Sequence, residues 1–180
     1  TSTNLCEFIH FVSSSLDLRL QIDTVYTDLS KAFDKVNHRI MLHKLKSFGL
    51  CNNLVSLVRS ILADQKQFVE YSGHKSFVYD CPSGVVEGSN LGPLLCVIFI
   101  NDIVKSVSPD CKILLYADDL KIVKVVDNIK DCLILQRNID SVVDWCNVNR
   151  LFMNRDKCRI MTYSRKNCNI FFYYNMLNWF

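Results

Sequence analysis

Hydrophobic and polar positions along this chain follow a helical period in some segments and a strand-like period in others. Apolar residues three or four positions apart predict helices, whereas apolar residues at every second position predict strands. Helices are predicted over residues 4–16, 37–50, 53–62, 94–107 and 127–151. Strands are predicted over 22–29 and 157–164, and strand hairpins over 66–81 and 112–126. This order predicts an α+β fold, in which an antiparallel sheet carries helices packed on one face.

Three of the helices have an apolar stripe that we expect to face the core. The expected core residues are Leu5, Phe8, Ile9, Val12 and Leu16 in the first helix, Met41, Leu45 and Phe48 in the second, and Ile129, Cys132, Leu135, Ile139, Val142, Val143 and Cys146 in the last. Gly49 is expected to end the second helix, and Ser72–Gly73 to turn the first hairpin. Residues 82–93 hold three of the five glycines and two of the three prolines, which predicts one unusual loop.

Composition indicates an ordinary globular domain. The chain has 180 residues, and 49% of them are hydrophobic, which is enough for a sizeable core. The longest apolar run, at 94–100, is shorter than the roughly 18–20 residues of a membrane helix. Nine cysteines occur without a CxxC pair, so a zinc site is not supported. We interpret most of them as reduced core cysteines of an intracellular protein.

Charge is spread unevenly along the chain. The net charge is only +3, but residues 31–66 contain seven Lys or Arg against two Asp, and residues 150–168 contain six against one. Two basic segments on either side of an acidic middle could bind a polyanion. On charge alone, solvated helix faces are the favoured explanation.

The sequence ILLYADDLKIV at 113–123 places Asp118 and Asp119 side by side within an apolar, strand-like run. A hairpin turn there would put both carboxylates at the rim of a sheet, and Asp28 ends another predicted strand. If these strands are neighbours, three carboxylates converge, and they require a cation such as Mg²⁺ or Mn²⁺. Paired divalent ions are a standard means of phosphoryl transfer. Taken singly, Asp28 is equally well explained as a helix N-cap, and Asp-Asp as an ordinary hairpin turn.

Four segments in order resemble the palm motifs of reverse transcriptases, in particular those of LINE-like, non-LTR retrotransposons of the jockey type. They are TDLSKAFDKVNHRIMLHKLKSFGL at 27–50, GVVEGSNLGPLLCVIFINDI at 84–103, YADD at 116–119 and NRLFMNRDKCRIMTYSRK at 149–166. The resemblance implies a polymerase palm with part of the fingers. It also implies an RNA-directed DNA polymerase that uses two Mg²⁺ or Mn²⁺ ions, an RNA template, a DNA primer and dNTPs.

The resemblance assigns catalytic roles to several residues. Asp28 and Asp118 match the two metal-binding aspartates, and Asp119 matches the partner acid of the YxDD motif. The carbonyl of Leu29 is expected to help hold the metal ion on the nucleotide side. Lys157, which follows Asn154 in MNRDKC, matches a lysine expected to protonate the leaving pyrophosphate; an ordinary surface lysine is the alternative.

The resemblance also assigns a nucleotide-binding segment. Lys31 and Ala32 are expected to present backbone N–H groups to the triphosphate. Phe33 matches the bulky residue beneath the sugar, where an aromatic ring would collide with a 2′-hydroxyl and select deoxynucleotides; a core phenylalanine is the alternative. Glu87 and Gly88 match loop positions beside the incoming nucleotide.

The loop departs from the family pattern Gly-Val-Pro-Gln-Gly-Ser, because residues 84–89 read GVVEGS. Val86 loses the fixed φ of proline. Glu87 replaces a neutral amide, and its carboxylate would repel a triphosphate. This pattern suggests sequence drift in an element copy that is no longer held to function.

The resemblance further implies that residues 1–180 form an incomplete domain, without the thumb, most of the fingers and the endonuclease region of the parent polyprotein. Because a thumb clamps the hybrid through its backbone, we expect weak and salt-sensitive nucleic-acid binding. The expected location is intracellular and nuclear during retrotransposition, with no membrane partner.

Two functions are therefore compared. The first is a polymerase palm that adds dNTPs to a primer 3′ end. The second is a degenerate retroelement fragment that folds and at most binds nucleic acid. A palm-type cyclase is disfavoured, because the 82–93 loop and the SKAFD segment have no role in one.

Overall fold

The computed structural model of the protein describes residues 2–63, 65–86 and 88–175. The helices are α1 (Ser2–Asp17), α2 (Ala32–Lys35), α3 (His38–Ser47), α4 (Asn52–Leu62), α5 (Leu91–Ile100) and α6 (Ile129–Asn149), with a 3₁₀ segment at Asn101–Ser106. The strands are β1 (Gln21–Thr27), β2 (Lys66–Gln67), β3 (Glu70–Tyr71), β4 (His74–Lys75), β5 (Tyr79–Asp80), β6 (Lys112–Tyr116), β7 (Asp119–Val126) and β8 (Arg159–Tyr163). The chain divides into two compact units, of which the second comprises Lys31–Phe99 and the first comprises the segments on either side of it.

The first unit is built on a four-stranded sheet in the order β6-β7-β1-β8, with every neighbouring pair antiparallel. Strand β1 lies inside this sheet, and all of its residues except Tyr26 are buried. Burial of successive residues means that both faces of the strand are covered, because side chains alternate between faces. The sheet and its helices confirm the predicted α+β class.

The two long helices of this unit cover opposite faces of the sheet, which corrects the expectation that all helices pack on one face. Phe8 of α1 packs with Ile22 and Val123. Lys124, the next residue along β7, forms an ion pair of 3.5 Å with Asp131 of α6. Adjacent strand residues point to opposite faces, so α1 and α6 lie on different sides. Segment order along the chain carries no information about which face a helix covers.

The buried stripe of α1 is rotated from the predicted one. Phe8 and Val12 are buried as expected, but Leu5 and Ile9 are 49% and 52% exposed. Ser15 takes the place of an apolar residue on the buried face, and its hydroxyl donates to the Phe11 carbonyl at 2.8 Å. The Phe8 ring makes edge contacts with the rings of Tyr26 and Tyr163. These aromatic contacts, which come from strands distant in sequence, select the face that α1 buries.

Two other expected core residues are exposed because they lie at helix ends. Phe48 is 40% exposed and follows the last residue of α3, whereas Met41 and Leu45 are fully buried. Gly49 follows with a φ of +84°, as predicted for a helix stop. Ile129, the first residue of α6, is 50% exposed.

A capping box starts α6. The Asn128 side chain accepts a hydrogen bond from the Lys130 N–H at 2.9 Å. The Asp131 carboxylate accepts from the Asp127 and Asn128 N–H groups at 3.0 and 3.2 Å. Burial alone would raise the pKa of Asp131, but these backbone hydrogen bonds and the Lys124 charge lower it overall.

We expect the first unit to lose stability in acid, because its capping box depends on an ionised Asp131 carboxylate. Because the pKa of folded Asp131 is depressed, its contribution is present above the ordinary value near 3.8 and is lost as pH falls through that value and below. Replacing Asn128 with Ala should lower the free energy of unfolding by about 1 kcal/mol at neutral pH. Urea unfolding at pH 7 and pH 3 measures both effects, and Asp131→Asn should flatten the acid branch. An unchanged acid branch in Asp131→Asn would contradict this account.

The second unit contains a buried lysine that the charge pattern did not predict. Helices α3 and α4 pack together. Lys44 of α3 is only 6% exposed, and its ammonium donates to the Phe99 carbonyl at 2.7 Å and lies 4.6 Å from the centre of the Phe99 ring. Lys44 therefore does not belong to a solvated basic face, and the surface charge of residues 31–66 is smaller than their composition indicates.

The predicted hairpin at 66–81 is confirmed, but as two short ladders. Strands β3 and β4 pair around Ser72 and Gly73, which both have positive φ, as a tight hairpin turn requires. Strands β2 and β5 pair at its base. The helix predicted at 94–107 begins earlier, at Leu91, and gives way to the 3₁₀ segment after Ile100. Pro93 fits this earlier start because proline is tolerated in a first helical turn.

In the part of the chain that the structure describes, the nine cysteines form no disulfide with one another. Five of them are buried, namely Cys96, Cys111, Cys132, Cys146 and Cys158. Cys6, Cys51 and Cys168 are exposed, and Cys81 is intermediate. Within the described ranges, none of the helices combines the length and the apolar character that crossing a membrane would require.

Candidate active site

The Asp-Asp pair lies at a tight hairpin between β6 and β7. Tyr116 pairs with Asp119, so Ala117 and Asp118 form a two-residue turn. Ala117 has a φ of +52° and Asp118 does not have a positive φ, which is the pattern of a type II′ turn. An alanine in this left-handed conformation is strained. The turn places both carboxylates at the end of the ladder, at the rim of the sheet.

Asp28 reaches the same rim from the neighbouring strand. Thr27 pairs with Leu120 in the antiparallel ladder of β1 and β7, so the next step of this register sets Asp28 opposite Asp119. Burial raises the pKa of Asp119, and the negative charges of Asp118 and Asp28 raise it further. Asp28 and Asp118 are therefore near enough to Asp119 to interact with it electrostatically, and their joint role as a metal site stays a prediction.

Lys157 also lies at this rim. Its ammonium is 3.3 Å from Oδ2 of Asp28, and its side chain is 65% exposed against 20% for that of Asp28. Together with Lys121 it opposes the rise in the pKa of Asp119. An ion pair with one partner this exposed contributes little to stability, so its main effect is to balance the charge of the carboxylates.

Leu29, the predicted carbonyl ligand, lies in a backbone bridge just beyond the end of β1. Leu29 pairs with Met153 in an isolated bridge. The bonds of this bridge run from Ser30 N–H to the Phe152 carbonyl at 2.7 Å and from Asn154 N–H to the Asp28 carbonyl at 2.8 Å. Leu29 and Met153 therefore form a non-hydrogen-bonded pair, in which the Leu29 carbonyl points away from Met153. It points toward the side on which β7 lies.

The donor set fits a hard divalent cation, because it consists of carboxylate oxygens and a backbone carbonyl. The raised pKa of Asp119 indicates like charges that a cation would relieve. In the part of the chain that the structure describes, no three His, Cys, Asp or Glu side chains are grouped closely enough to hold a metal ion. The two metal ions therefore remain a prediction.

We expect Asp118→Asn to lower the pKa of Asp119, because it removes one of the charges that raise it. Carbon-13 NMR titration of the Asp119 carboxyl measures this shift. Adding Mg²⁺ to the unmodified chain should shift the titration in the same direction. A titration that neither change moves would show that the carboxylates are not electrostatically coupled.

The predicted nucleotide-binding residues belong to the second unit. Lys31 is exposed and has a left-handed backbone, with φ and ψ both 50°, and Ala32 is buried. Phe33 is partly exposed, and its carbonyl accepts the Val85 N–H at 2.9 Å. The position of Phe33 relative to the carboxylates stays a prediction.

In the loop of the same unit, Gly88 has a φ of +77°, whereas Glu87 lies outside the described residues. His38, which the sequence did not assign to a site, lies 2.7 Å from the Gly84 carbonyl through its Nε2 atom.

Sequence reasoning missed a buried carboxylate in the middle of β1. Asp23 is 1% exposed and accepts hydrogen bonds from the Tyr174 hydroxyl at 2.5 Å and from the Thr162 hydroxyl at 2.8 Å. Burial and the bond to Asp23 raise the pKa of Tyr174. An aspartate inside an apolar strand was the available signal, but its partners come from segments far along the chain.

Comparison with known proteins agrees with this geometry. Residues 14–172 match the family model of the reverse transcriptase (RNA-dependent DNA polymerase). The chain is 26% identical over 173 residues to the RNA-directed DNA polymerase from mobile element jockey of Drosophila melanogaster, covering 92% of this chain and 19% of the relative. It is 27% identical over 131 residues to the retrovirus-related Pol polyprotein from type-1 retrotransposable element R2 of Popillia japonica, covering 67% of this chain and 22% of the relative. The chain thus spans about a fifth of the length of these relatives.

The fold is similar to solved telomerase structures. Apo telomerase of Candida tropicalis, truncated from its C-terminal domain, superposes with a TM-score of 0.69 at 14% identity and covers 94% of this chain and 36% of that chain. At this identity the likeness concerns the fold alone, and it supports a palm-like α+β architecture. The family match over residues 14–172 shows that the chain belongs to the reverse transcriptase (RNA-dependent DNA polymerase) family.

Proposed function

We propose that this chain forms the palm of an RNA-directed DNA polymerase, which adds dNTPs to a primer 3′ end on an RNA template during retrotransposition, in the nucleus. The observation that supports the proposal is that the charges of Asp28 and Asp118 act on Asp119 at one rim of the sheet. Convergent carboxylates on neighbouring strands suit phosphoryl transfer, since catalysis there depends on positioning and on charge stabilisation.

In this proposal Asp28, Asp118 and the Leu29 carbonyl would hold two Mg²⁺ or Mn²⁺ ions. The ions, when bound, stabilise the charge on the attacking and leaving oxygens. Asp119 adds negative charge beside them and keeps them in place. Lys157, whose exposed ammonium lies beside Asp28, would donate a proton to the leaving pyrophosphate.

The segment at Lys31–Phe33 is proposed to bind the incoming nucleotide. Two backbone hydrogen bonds support a fixed position for it within its unit: Val85 N–H to the Phe33 carbonyl and Gly84 N–H to the Val36 carbonyl, both 2.9 Å. With its backbone held, the Phe33 ring can exclude a 2′-hydroxyl, and the first N–H groups of the short helix are available to phosphate oxygens. Gly88, which has a positive φ, is proposed to let the backbone of the 82–93 loop come close to the nucleotide.

The test is extension of a DNA primer on an RNA template by the protein encoded by the full open reading frame, with Mg²⁺ or Mn²⁺. We expect extension with dNTPs that is much weaker with rNTPs, and we expect Phe33→Ala to reduce that discrimination. Phe99→Leu is the matched control, because Phe99 is a fully buried phenylalanine of the core. If the unmodified protein extended the primer with rNTPs as well as with dNTPs, the proposed role of Phe33 in excluding a 2′-hydroxyl would be contradicted.

A second candidate function is nucleic-acid binding without catalysis. The sequence observation that favours it is Glu87, which adds a negative charge where a triphosphate would bind. At an effective dielectric constant of about 20, one like-charge contact near 4 Å costs on the order of 4 kcal/mol before screening. Primer extension by Glu87→Gln separates the two candidate functions. Restored extension would indicate a polymerase palm that Glu87 alone inhibits. Binding of the RNA–DNA hybrid without extension, in both the unmodified protein and Glu87→Gln, would indicate a binding fragment.

A further inference from the structure

The ladder between β1 and β8 is interrupted beside Asp28. Tyr26 pairs with Arg159, and the next pair along β1 is Leu29 with Met153. Tyr26 and Leu29 are three positions apart, whereas Met153 and Arg159 are six positions apart. The segment between Met153 and Arg159 therefore forms a loop. The N–H of Asp28 faces this loop, so the regular sheet has no carbonyl to offer it.

The thiol of Cys158 takes the place of that missing carbonyl. The Asp28 N–H donates to Cys158 Sγ at 3.5 Å, and the thiol in turn donates weakly to the Asp28 carbonyl at 3.9 Å. Cys158 is 2% exposed, so the sulfur side of this contact is shielded from water. Without the sulfur, the Asp28 N–H would lose its acceptor in the ladder, which has a cost in stability.

Backbone hydrogen bonds hold this loop against Asp28. The Asn154 carbonyl accepts the N–H groups of Lys157 and Cys158 at 3.1 and 3.0 Å, and the Asn154 N–H donates to the Asp28 carbonyl at 2.8 Å. The main chain of Asp28 is therefore fixed on both its N–H and its carbonyl by one turn of the chain. A carboxylate must keep its position closely to hold a cation, and groups that orient the ligands of a metal ion affect its affinity strongly.

From this geometry we propose that Cys158 is a positioning residue for Asp28: its sulfur completes the interrupted ladder and fixes the Asp28 backbone so that the carboxylate meets Asp118 at the rim. The role rests on the proposed metal-dependent function, but the contact itself does not. A serine would keep an acceptor and a donor at a shorter reach, and an alanine would remove both.

The first experiment follows hydrogen exchange of the Asp28 amide by NMR in the metal-free chain. We expect Cys158→Ala to speed this exchange about tenfold and Cys158→Ser to keep it within about threefold of the unmodified chain. Cys111→Ala is the matched control, because Cys111 is also a buried thiol and precedes β6, at the end of the sheet away from the Asp-Asp turn. Exchange at Asp28 that is the same in Cys158→Ala and Cys111→Ala would overturn the proposal.

The second experiment measures Mn²⁺ binding by electron paramagnetic resonance, using the same variants and Asp118→Asn. Cys158→Ala should weaken Mn²⁺ binding by roughly ten- to a hundredfold, Cys158→Ser should restore most of it, and Cys111→Ala should not change it. Faster exchange with unchanged Mn²⁺ affinity would reduce Cys158 to a structural role and overturn the proposal. Absence of Asp118-dependent Mn²⁺ binding in the unmodified chain would instead contradict the proposed function, and the positioning role would fail with it.

Discussion

Replacement of Asp118 with Asn is expected to reduce RNA-templated primer extension by at least about a thousandfold, equivalent to about 4 kcal/mol in the activation barrier. Asn keeps the size of the side chain and its place in the turn between β6 and β7, so the loss comes from charge. One negative charge fewer weakens the hold on both proposed cations, and phosphoryl transfer has little other source of charge stabilisation.

Asp127→Asn is the matched control for Asp118. Asp127 directly follows β7 at the end opposite Asp119, where it lies 3.0 Å from the Lys166 ammonium. It should leave extension unchanged, since an exposed ion pair contributes little. Steady-state extension with increasing Mn²⁺ measures both variants. Equal activity of Asp118→Asn and Asp127→Asn would remove Asp118 from the catalytic site.

Replacement of Gly92 with Ala is expected to lower the free energy of unfolding by about 3 kcal/mol. A Cβ atom at Gly92 would lie 2.3 Å from the Val86 carbonyl oxygen and 2.9 Å from the Ser89 hydroxyl oxygen. The first contact is with backbone, which cannot rotate away, so the loop or the start of α5 must move. The shift would also break the 2.9 Å bond that the Gly92 N–H donates to the Ser89 hydroxyl.

Gly49→Ala is the comparison for Gly92. Gly49 has a φ of +84° but no atom within 4 Å of a Cβ position, so its replacement costs only about 1 kcal/mol of left-handed strain. Urea unfolding of both variants, followed by far-UV circular dichroism, tests the difference. If Gly92→Ala were the milder substitution, the close packing of the loop on α5 would be wrong.

Local periodicity predicted the elements well because the spacing of apolar residues is a property of the segment itself. The long helix α6 buries six of its seven expected residues, and Ile129 is exposed only because it is the first. The hairpin turns at Ser72–Gly73 and Ala117–Asp118 lie where turn residues interrupt two strand-like runs. Boundaries moved by a few residues, as at Leu91.

The spacing of apolar residues within a segment could not predict contacts between segments that are distant along the chain. Leu5 and Ile9 have the same spacing as Phe8 and Val12, and only the rings of Tyr26 and Tyr163 decide which pair is buried. The burial of Lys44 likewise depends on the Phe99 carbonyl, far along the chain. A helical stripe specifies that a face is buried but not what lies against it.

The sequence by itself determined the α+β class and the family, because these depend on short ordered motifs and on residue chemistry that no neighbour is needed to define. Only the tertiary structure decided that Asp28 directly follows the strand that pairs with β7, that Lys157 pairs with Asp28, and that the Asp28 N–H donates to Cys158. The reason is physical: a hydrogen bond or an ion pair requires two groups within a few ångströms, and strand pairing sets that distance between residues about 90 to 130 positions apart.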